Sequence, residues 1–523
     1  MEILQLQNLY AGHPNVKALA QVLENSSMRT IFLEGLCASS SALYLSCILR
    51  ASNSPVLVIL DDMEEAGYFY HDLTQILGDQ RVLFFPSSYR RAIKYGQKDA
   101  ANEILRTEVL SSLQRAQEPM CVVTYPDALA EKVIPPKLLS EKTIRIAVGD
   151  TINMDKLSER LAKNGFQQVD YVYEPGQFAM RGSILDIFSF SFEYPFRVDF
   201  FGDEVDSIRS FEVESQLSKE KKQQIAIVPE MVQISSGSVS LMDFLDKSTL
   251  LMMKDFLYVQ ERIDAVSKET FTSQAIAAQE QEQADKLYLP PLMDGGTFTL
   301  SALNYRRIEF GSKPTGTPQA KLSFNYALQP IFHKNFDLVS SSFHDYLDQG
   351  YTIYILSDSK KQTDRLHDIF EERGDNLTFV PVEKTLHEGF SDANLKICCF
   401  TDHQIFDRFH KYSIKSDKAR SGKVALSLKE INEFQPGDFV VHIDHGVGRF
   451  AGLVRIPNGN STQEVIKLVY QNEDVVFVSI HSLHKISKYK GKEGEPPRLS
   501  KLGTGAWEKM KDRAKSRIKD IAR

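Results

Sequence analysis

Three groups of residues in this 523-residue chain have types and spacings that could do chemistry. The first follows the apolar run Ile31-Phe32-Leu33 and reads Glu34-Gly35-Leu36-Cys37-Ala38-Ser39-Ser40-Ser41-Ala42. A phosphate-binding loop sits at such a place, between a buried strand and a helix. It needs G-x-x-x-x-G-K-[ST]: amides around the phosphates, a lysine on the β/γ oxygens and a hydroxyl on magnesium. Counted from Gly35, the later required positions are Ser40, Ser41 and Ala42, so the second glycine, the lysine and the metal-ligating hydroxyl are missing. ATP hydrolysis is excluded here, and only a weak phosphate site at the helix N-terminus remains. The second group, His442-x-Asp444-His445, invites a metal. His445 falls at a turn, however, and no cysteine or further histidine lies nearby to complete a tetrahedral set, so side chains that cap the turn are the simpler account.

The third group is a binding face rather than a catalytic one. In Tyr194-Pro195-Phe196-Arg197-Val198-Asp199-Phe200-Phe201-Gly202-Asp203, strand alternation puts Phe196, Val198 and Phe200 on one side and Arg197, Asp199 and Phe201 on the other. The second side is the wet one, and Arg181 reaches the same sheet from the neighbouring strand in Arg181-Gly182-Ser183-Ile184-Leu185-Asp186-Ile187-Phe188. Arginines beside an exposed aromatic have the composition of interface hot spots. Alternatively, Phe201 packs under a loop and Arg197 pairs with Asp199, and residue types alone leave both readings open.

Stepwise along the chain, the elements that position these groups are α/β units followed by a small barrel. Apolar strands at Ile31–Leu33, Val56–Leu60, Arg81–Phe85 and Cys121–Thr124 alternate with helices and imply a parallel sheet covered on both faces. Gly202-Asp203 is a hairpin turn. From about Met231 to Leu328 the chain returns to the first sheet, with a long polar helix expected over Leu257–Lys286 that ends at Pro290-Pro291. A third α/β unit carries strands at Tyr351–Leu356, Leu377–Val380 and Leu395–Phe400, with Ser357-Asp358-Ser359 expected to cap its helix. Lys411–Lys423 reads as a polar, basic linker. Then come short strands at Phe439–His442, from Arg449, at Val465–Tyr470 and at Val475–Val478, joined by tight corners as in an SH3-like or Tudor-like barrel. Lys485–Lys492 reads as a basic, loop-like tail, and a helix capped by Thr504 carries Trp507, the only tryptophan.

Composition bounds the function. A chain of this length needs several cores, and apolar and charged fractions of 42% and 25% are globular averages. A net charge of −7 argues against a protein that coats DNA non-specifically. The five cysteines show no C-x-x-C spacing, which suits a reducing cytoplasm. No apolar run approaches the length of a membrane span.

Two stretches carry a resemblance to a known family. Gly437-Asp438-Phe439-Val440-Val441-His442-Ile443-Asp444-His445-Gly446-Val447-Gly448-Arg449-Phe450-Ala451-Gly452-Leu453 resembles the RNA-polymerase-interacting domain of the bacterial transcription-repair coupling factors (the Mfd family), shared with the CarD regulators. The resemblance implies a barrel surface that docks on the polymerase β subunit, for which Val454, Arg455, Ile456 and Leu468 are the candidate contacts. The stretch 181–188 with 194–211 resembles the UvrA-binding domain shared by UvrB and this family, whose recognition positions fall on Arg181, Arg197 and Phe201. The N-terminal region is similar to UvrB with a decayed nucleotide site at Gly35, Ser40, Ser41 and Ala42. The UvrB hairpin is shortened to Pro86–Gly96, where Arg90 and Arg91 read as a solvated turn.

The fold expected is thus multidomain α/β. Residues 1–134 and 231–333 form a degenerate P-loop-like parallel-sheet domain split by an α+β UvrA-binding insertion at 135–230. A small βαβ domain of open role (334–410), a linker (411–432), the barrel (433–500) and the start of a long helix (501–523) follow. Because the chain stops at Arg523 inside that helix, it reads as the N-terminal part of a longer protein. Its ATP- and magnesium-dependent DNA translocase, and with it most DNA contact, would lie beyond. The implied role is an adaptor, monomeric and without cofactor or metal, that joins UvrA to polymerase. Two other classes compete. A UvrB-like ATPase or helicase is disfavoured by Ser40-Ser41-Ala42, and a plain CarD-like regulator has no use for a UvrA-recognition surface.

Overall fold

The structure is a computed structural model. It describes all residues except 53, 89–99, 117, 193, 214–215, 230–236, 267, 269–291, 411, 413–433, 459–460, 480–485, 490–496, 504–506, 508 and 510–523. Arg90 and Arg91, the later part of the Leu257–Lys286 helix, nearly all of the linker and most of the last helix therefore lie outside the described residues. The chain divides into two compact units, one of residues 1–145, 189–192 and 226–414, the other of 146–188, 193–225 and 415–523.

The first unit is built on a seven-stranded sheet in the order Ala320–Ser323, Thr30–Glu34, Arg306–Gly311, Leu250–Met253, Val56–Ile59, Cys121–Thr124, Val82–Phe84. Every pairing is parallel. Four strands come from the chain before residue 134 and three from after 231, so the expected return to the first sheet is what the topology has. Strands buried on both faces need continuous apolar runs, and Val56–Ile59 and Leu250–Met253 are buried throughout.

The small domain contributes a mixed five-stranded sheet, Tyr326–Leu328, Phe390–Asp392, Ile397–Thr401, Thr352–Ser357, Val380–Glu383. Its edge strand Tyr326–Leu328 precedes the expected boundary at 334. The helix Lys360–Glu372 buries Thr363, Leu366 and Phe370, but its N-cap Ser359 makes no side-chain capping bond. The Ser357 hydroxyl instead donates to Asp402 Oδ2 at 3.0 Å, so the anticipated cap is a tertiary tie.

Two further sheets belong to the second unit. One has six strands, Ser218–Lys222, Glu204–Phe211, Phe196–Phe201, Ile184–Ile187, Gln177–Arg181 and Gln167–Gln168. All its neighbours are antiparallel except the last pair. The segments leading into and out of this insertion, Ile144–Ala147 and Gln224–Ile227, form a two-stranded sheet. The other has five antiparallel strands, Val475–Ser479, Ser461–Val469, Gly446–Asn458, Phe439–His442 and Ile486–Lys488. The 13-residue strand Gly446–Asn458 changes register between Phe450 and Leu453, which lets it serve two neighbours around one core. Ile486–Lys488, expected as part of a loop, is a strand because Ile486 is needed in that core, where it is 2% exposed. Among the described residues no helix is long and apolar enough to cross a membrane.

Candidate functional site

The arginine face lies on the six-stranded sheet. The strand Phe196–Phe201 alternates as its residue types demand, with Phe196, Val198 and Phe200 buried and Arg197 and Asp199 half-buried. Phe201 is 83% exposed beside the Gly202 turn, where φ is +64°. Asp186 stands directly opposite Arg197 in the ladder, and its carboxylate is 1% exposed. Arg197 Nε donates to Asp186 Oδ1 at 2.6 Å, and Nη2 donates to Oδ2 at 2.8 Å and to Gln216 Oε1 at 3.0 Å. Arg181 Nη2 donates to the same Oδ2, while its Nη1 donates to the Asp170 carbonyl at 2.9 Å. The guanidinium of Arg181 lies over the Tyr171 ring at 4.7 Å and that of Arg197 over Phe211 at 4.4 Å. Hydrogen bonding to Asp186 raises the Arg197 pKa against the opposing effect of burial.

Two sequence expectations change as a result. Arg197 is paired with Asp186 rather than Asp199, which is held by Arg209 at 3.1 Å and by the Ser207 hydroxyl at 2.9 Å. The arginine side chains are also less open than alternation suggests, at 34% for Arg181 and 15% for Arg197. Asp186 was missed because its partners are cross-strand, and only the register reveals them.

The loop at Gly35 is closed by the protein itself. Gly35 has φ +89°, and a Cβ there would lie 2.4 Å from the Phe324 carbonyl oxygen. The Ser40 hydroxyl turns back to Cys37 and that of Ser41 to the Ala38 carbonyl, while Ala42 is fully buried. The Ser39 amide donates to the Glu388 carbonyl at 3.3 Å, and the Glu388 amide returns a bond to Ser39 Oγ at 2.9 Å. Next to it the His387 amide donates to Asp72 Oδ1 at 2.7 Å, and Tyr68 stacks on the His387 ring at 3.4 Å between centroids. Burial pushes the Asp72 carboxyl up to about 7. Where a phosphate would sit, the loop meets the turn 387–388 of the small domain. Gly35 is thus retained for backbone geometry: Gly35→Ala is expected to cost the first unit at least about 1–3 kcal/mol through strain alone. That loss is read as a lower melting transition with no change in binding at the second unit. An unchanged transition would contradict the close approach to Phe324.

In the five-stranded sheet His442 is buried, and its Nδ1 accepts from the Asp444 amide at 3.2 Å, the turn-capping role expected of it. The His445 ring stacks on it at 4.6 Å. Among the described residues the one cluster with ligand atoms close enough for a metal is His367, Asp368 and Glu371, all exposed on a helix and ordinary for a solvated face. Val454, Arg455 and Ile456 pair with Val465, Glu464 and Gln463. Val454 is half-buried, and the side chains of Arg455 and Ile456 lie outside the described residues. Leu468 is 0% exposed within the core of Val440, Phe450, Ile466 and Val478. It is a packing residue, which corrects its choice as a surface contact. Exposed apolar groups that the sequence reading did not single out are Ile443, Val475 and Phe477, at 55%, 40% and 51%. Alternation in Val475-Val476-Phe477-Val478 was the available signal. Trp507 finds the packing partner expected of it: its Nε1 donates to the Ile443 carbonyl at 2.9 Å, and its ring lies 2.9 Å from where a Cβ on Gly446 would be.

Comparison with known proteins places both surfaces in recognised modules. Residues 144–232 match the UvrB interaction domain, and residues 434–490 match the CarD-like/TRCF RID domain. The chain is 23% identical over 591 residues to the transcription-repair-coupling factor of Bacillus subtilis (strain 168), covering 95% of this chain and 48% of that protein. It is 23% identical over 558 residues to that of Staphylococcus aureus (strain USA300), covering 93% and 47%. With the Staphylococcus epidermidis (strain ATCC 12228 / FDA PCI 1200) protein it shares 22% over 568 residues, covering 94% and 48%. The chain therefore spans about half the length of the curated relatives it matches.

Proposed function

We propose that this chain, similar along 93–95% of its length to transcription-repair-coupling factors, is the non-catalytic N-terminal portion of such a factor. It recruits UvrA through Arg181, Arg197 and Phe201 and docks on the RNA polymerase β subunit through the sheet of residues 439–488. In this reading it acts in the cytoplasm as a monomer and brings excision repair to stalled transcription. ATP and magnesium belong to a DNA-translocating motor elsewhere in the full-length protein, which also makes most of the DNA contacts. The residues 334–410 serve as a spacer or docking platform, and the functional boundaries are those of the split UvrB-like domain, its insertion and the polymerase-docking barrel.

The observation that carries this reading is Phe201, 83% exposed in a segment that matches the UvrB interaction domain and on the strand that also holds Arg197. A large aromatic left in water next to prearranged guanidiniums fits a hot spot better than a core group. The closure of the Gly35 loop by Ser39 and Glu388 speaks against a UvrB-like ATPase. Phe201→Ala, Arg181→Ala and Arg197→Ala are each expected to weaken UvrA binding by about 1–4 kcal/mol. Phe201→Ala should leave the melting curve unchanged, because the ring packs on almost nothing. Titration of purified UvrA against each variant is the measurement, and wild-type affinity in all three would end the proposal.

A further inference from the structure

Asp186 is used twice. One carboxylate, 1% exposed, receives three charge-assisted hydrogen bonds from two arginines on two different strands. Two cations against one buried anion leave the cluster with one unit of positive charge that its own carboxylate does not neutralise. Each guanidinium also keeps a donor that makes no hydrogen bond among the described residues: Arg181 Nε and Arg197 Nη1. Arg197 is gripped in a fork by both Asp186 oxygens, braced by Gln216 and laid on the Phe211 ring. Arg181 is fixed by the Asp170 carbonyl and the Tyr171 ring.

We infer that Asp186 is the positioning residue of this face. It freezes the Arg181 and Arg197 side chains before any partner arrives, so that their remaining donors point at carboxylate or carbonyl oxygens of that partner while Phe201 enters an apolar socket. The inference rests on the UvrA-binding reading and deepens it. Ordering a long, flexible side chain at an interface costs affinity, and a carboxylate that has already ordered two of them removes that cost. The bidentate fork suits this role because it fixes orientation as well as charge.

The test uses the whole chain and four variants: Asp186→Asn, Asp186→Glu, Arg181→Ala with Arg197→Ala, and that pair combined with Asp186→Asn. Asp186→Asn is expected to weaken UvrA binding at least tenfold per folded molecule, the folded fraction being taken from circular dichroism. Asp186→Glu, which keeps the charge, is expected to recover part of the loss. In the chain lacking both arginines, Asp186→Asn is expected to cost nothing further, because its effect acts through them. A residue that merely holds the sheet together would weaken binding equally in both backgrounds, and that result overturns the inference. A second readout needs no UvrA. The Arg197 Nε–H signal in a nitrogen-correlated NMR spectrum should be sharp and slow to exchange in the wild type and lost in Asp186→Asn. A signal that survives unchanged also overturns the inference. Should the wild-type chain fail to bind UvrA while the NMR signature behaves as described, the functional reading falls, and the role of Asp186 in binding falls with it. Its ordering of the arginines would then stand as a structural fact.

Discussion

Acidification from pH 7 to about pH 4.5 is expected to destabilise the first unit by a net of about 2 kcal/mol. The seam between the Gly35 loop and the small domain is lined by histidines that the fold keeps neutral. Burial, with the neighbouring His410, His403 and His71 adding to it, lowers the His387 pKa to about 4. Burial likewise takes His403 to about 4. His71 and His410 of the same cluster are lowered in the same direction, again first by burial, as is His13, which lies apart against Phe324 and Asp392. A group whose folded pKa lies below its unfolded value of about 6.5 binds protons more readily in the unfolded chain. Its stabilising contribution is therefore complete above pH 6.5 and is lost as pH falls from 6.5 towards 4. At about 1.4 kcal/mol per pKa unit from 6.5 down to 4.5, and with solvent screening reducing the more open His387, His387 and His403 each account for a loss on the order of 2 kcal/mol.

Asp72 works the other way. Raised by burial to about 7, it favours the folded state below that pH and opposes the histidines across the same window. Glu388, also raised by burial, adds to that opposition. By pH 4.5 His387 and His403 together lose about 4 kcal/mol against about 3 gained by Asp72, and His13, His71 and His410 set their losses against the gain of Glu388, so the net slope is a modest loss in acid. Asp358, Asp402, Lys384 and Arg408 face the cluster as well and moderate individual rings. Calorimetry of the whole chain should show the transition of the first unit falling by roughly 2–4 °C. The Ser39 amide should lose hydrogen-exchange protection in step, because its acceptor is the Glu388 carbonyl. A transition that stays level down to pH 4.5 would show that these rings are not held in a buried seam.

Leu468→Ala is expected to cost the five-stranded sheet about 2–5 kcal/mol, the range for removing a fully buried leucine. For a core as small as Phe434, Val440, Phe450, Ile466, Leu468, Tyr470, Val478 and Ile486 that is a large share of the total. Capture of the polymerase β subunit should fall with the folded fraction and return on cooling. Val454→Ala removes a half-buried side chain and should leave melting nearly intact while weakening capture at every temperature. If Leu468→Ala instead weakens capture with no change in melting, the side chain is a contact after all and the assignment to the core is wrong.

Local patterns were readable where burial follows from neighbours in the chain. The alternation of Phe196 to Phe201 named the buried and open side chains, and Phe201 is as open as that pattern required. The continuous apolar runs Val56–Ile59 and Cys121–Thr124 announced a parallel sheet, and both are buried throughout. Leu468 misled because Val465-Ile466-Lys467-Leu468-Val469 is apolar on both sides of the strand. Only the curl of the sheet decides which side is inside, and Val465, Ile466 and Leu468 are all buried.

By itself the sequence determined that the Gly35 loop lacks the groups for phosphate transfer, that an aromatic and two arginines share one β surface, and that a small all-β module follows the α/β body. These depend on residue identity and on the two-residue repeat of a strand, which are local. Tertiary structure alone decided that Asp186 clamps both arginines, that Glu388 and His387 close the Gly35 loop, and that four histidines gather beside it. Each of these joins residues from separate strands or from segments more than 300 positions apart, such as Asp72 and His387. Such pairings are set by strand register and by which apolar faces bury against each other, and no local pattern encodes them.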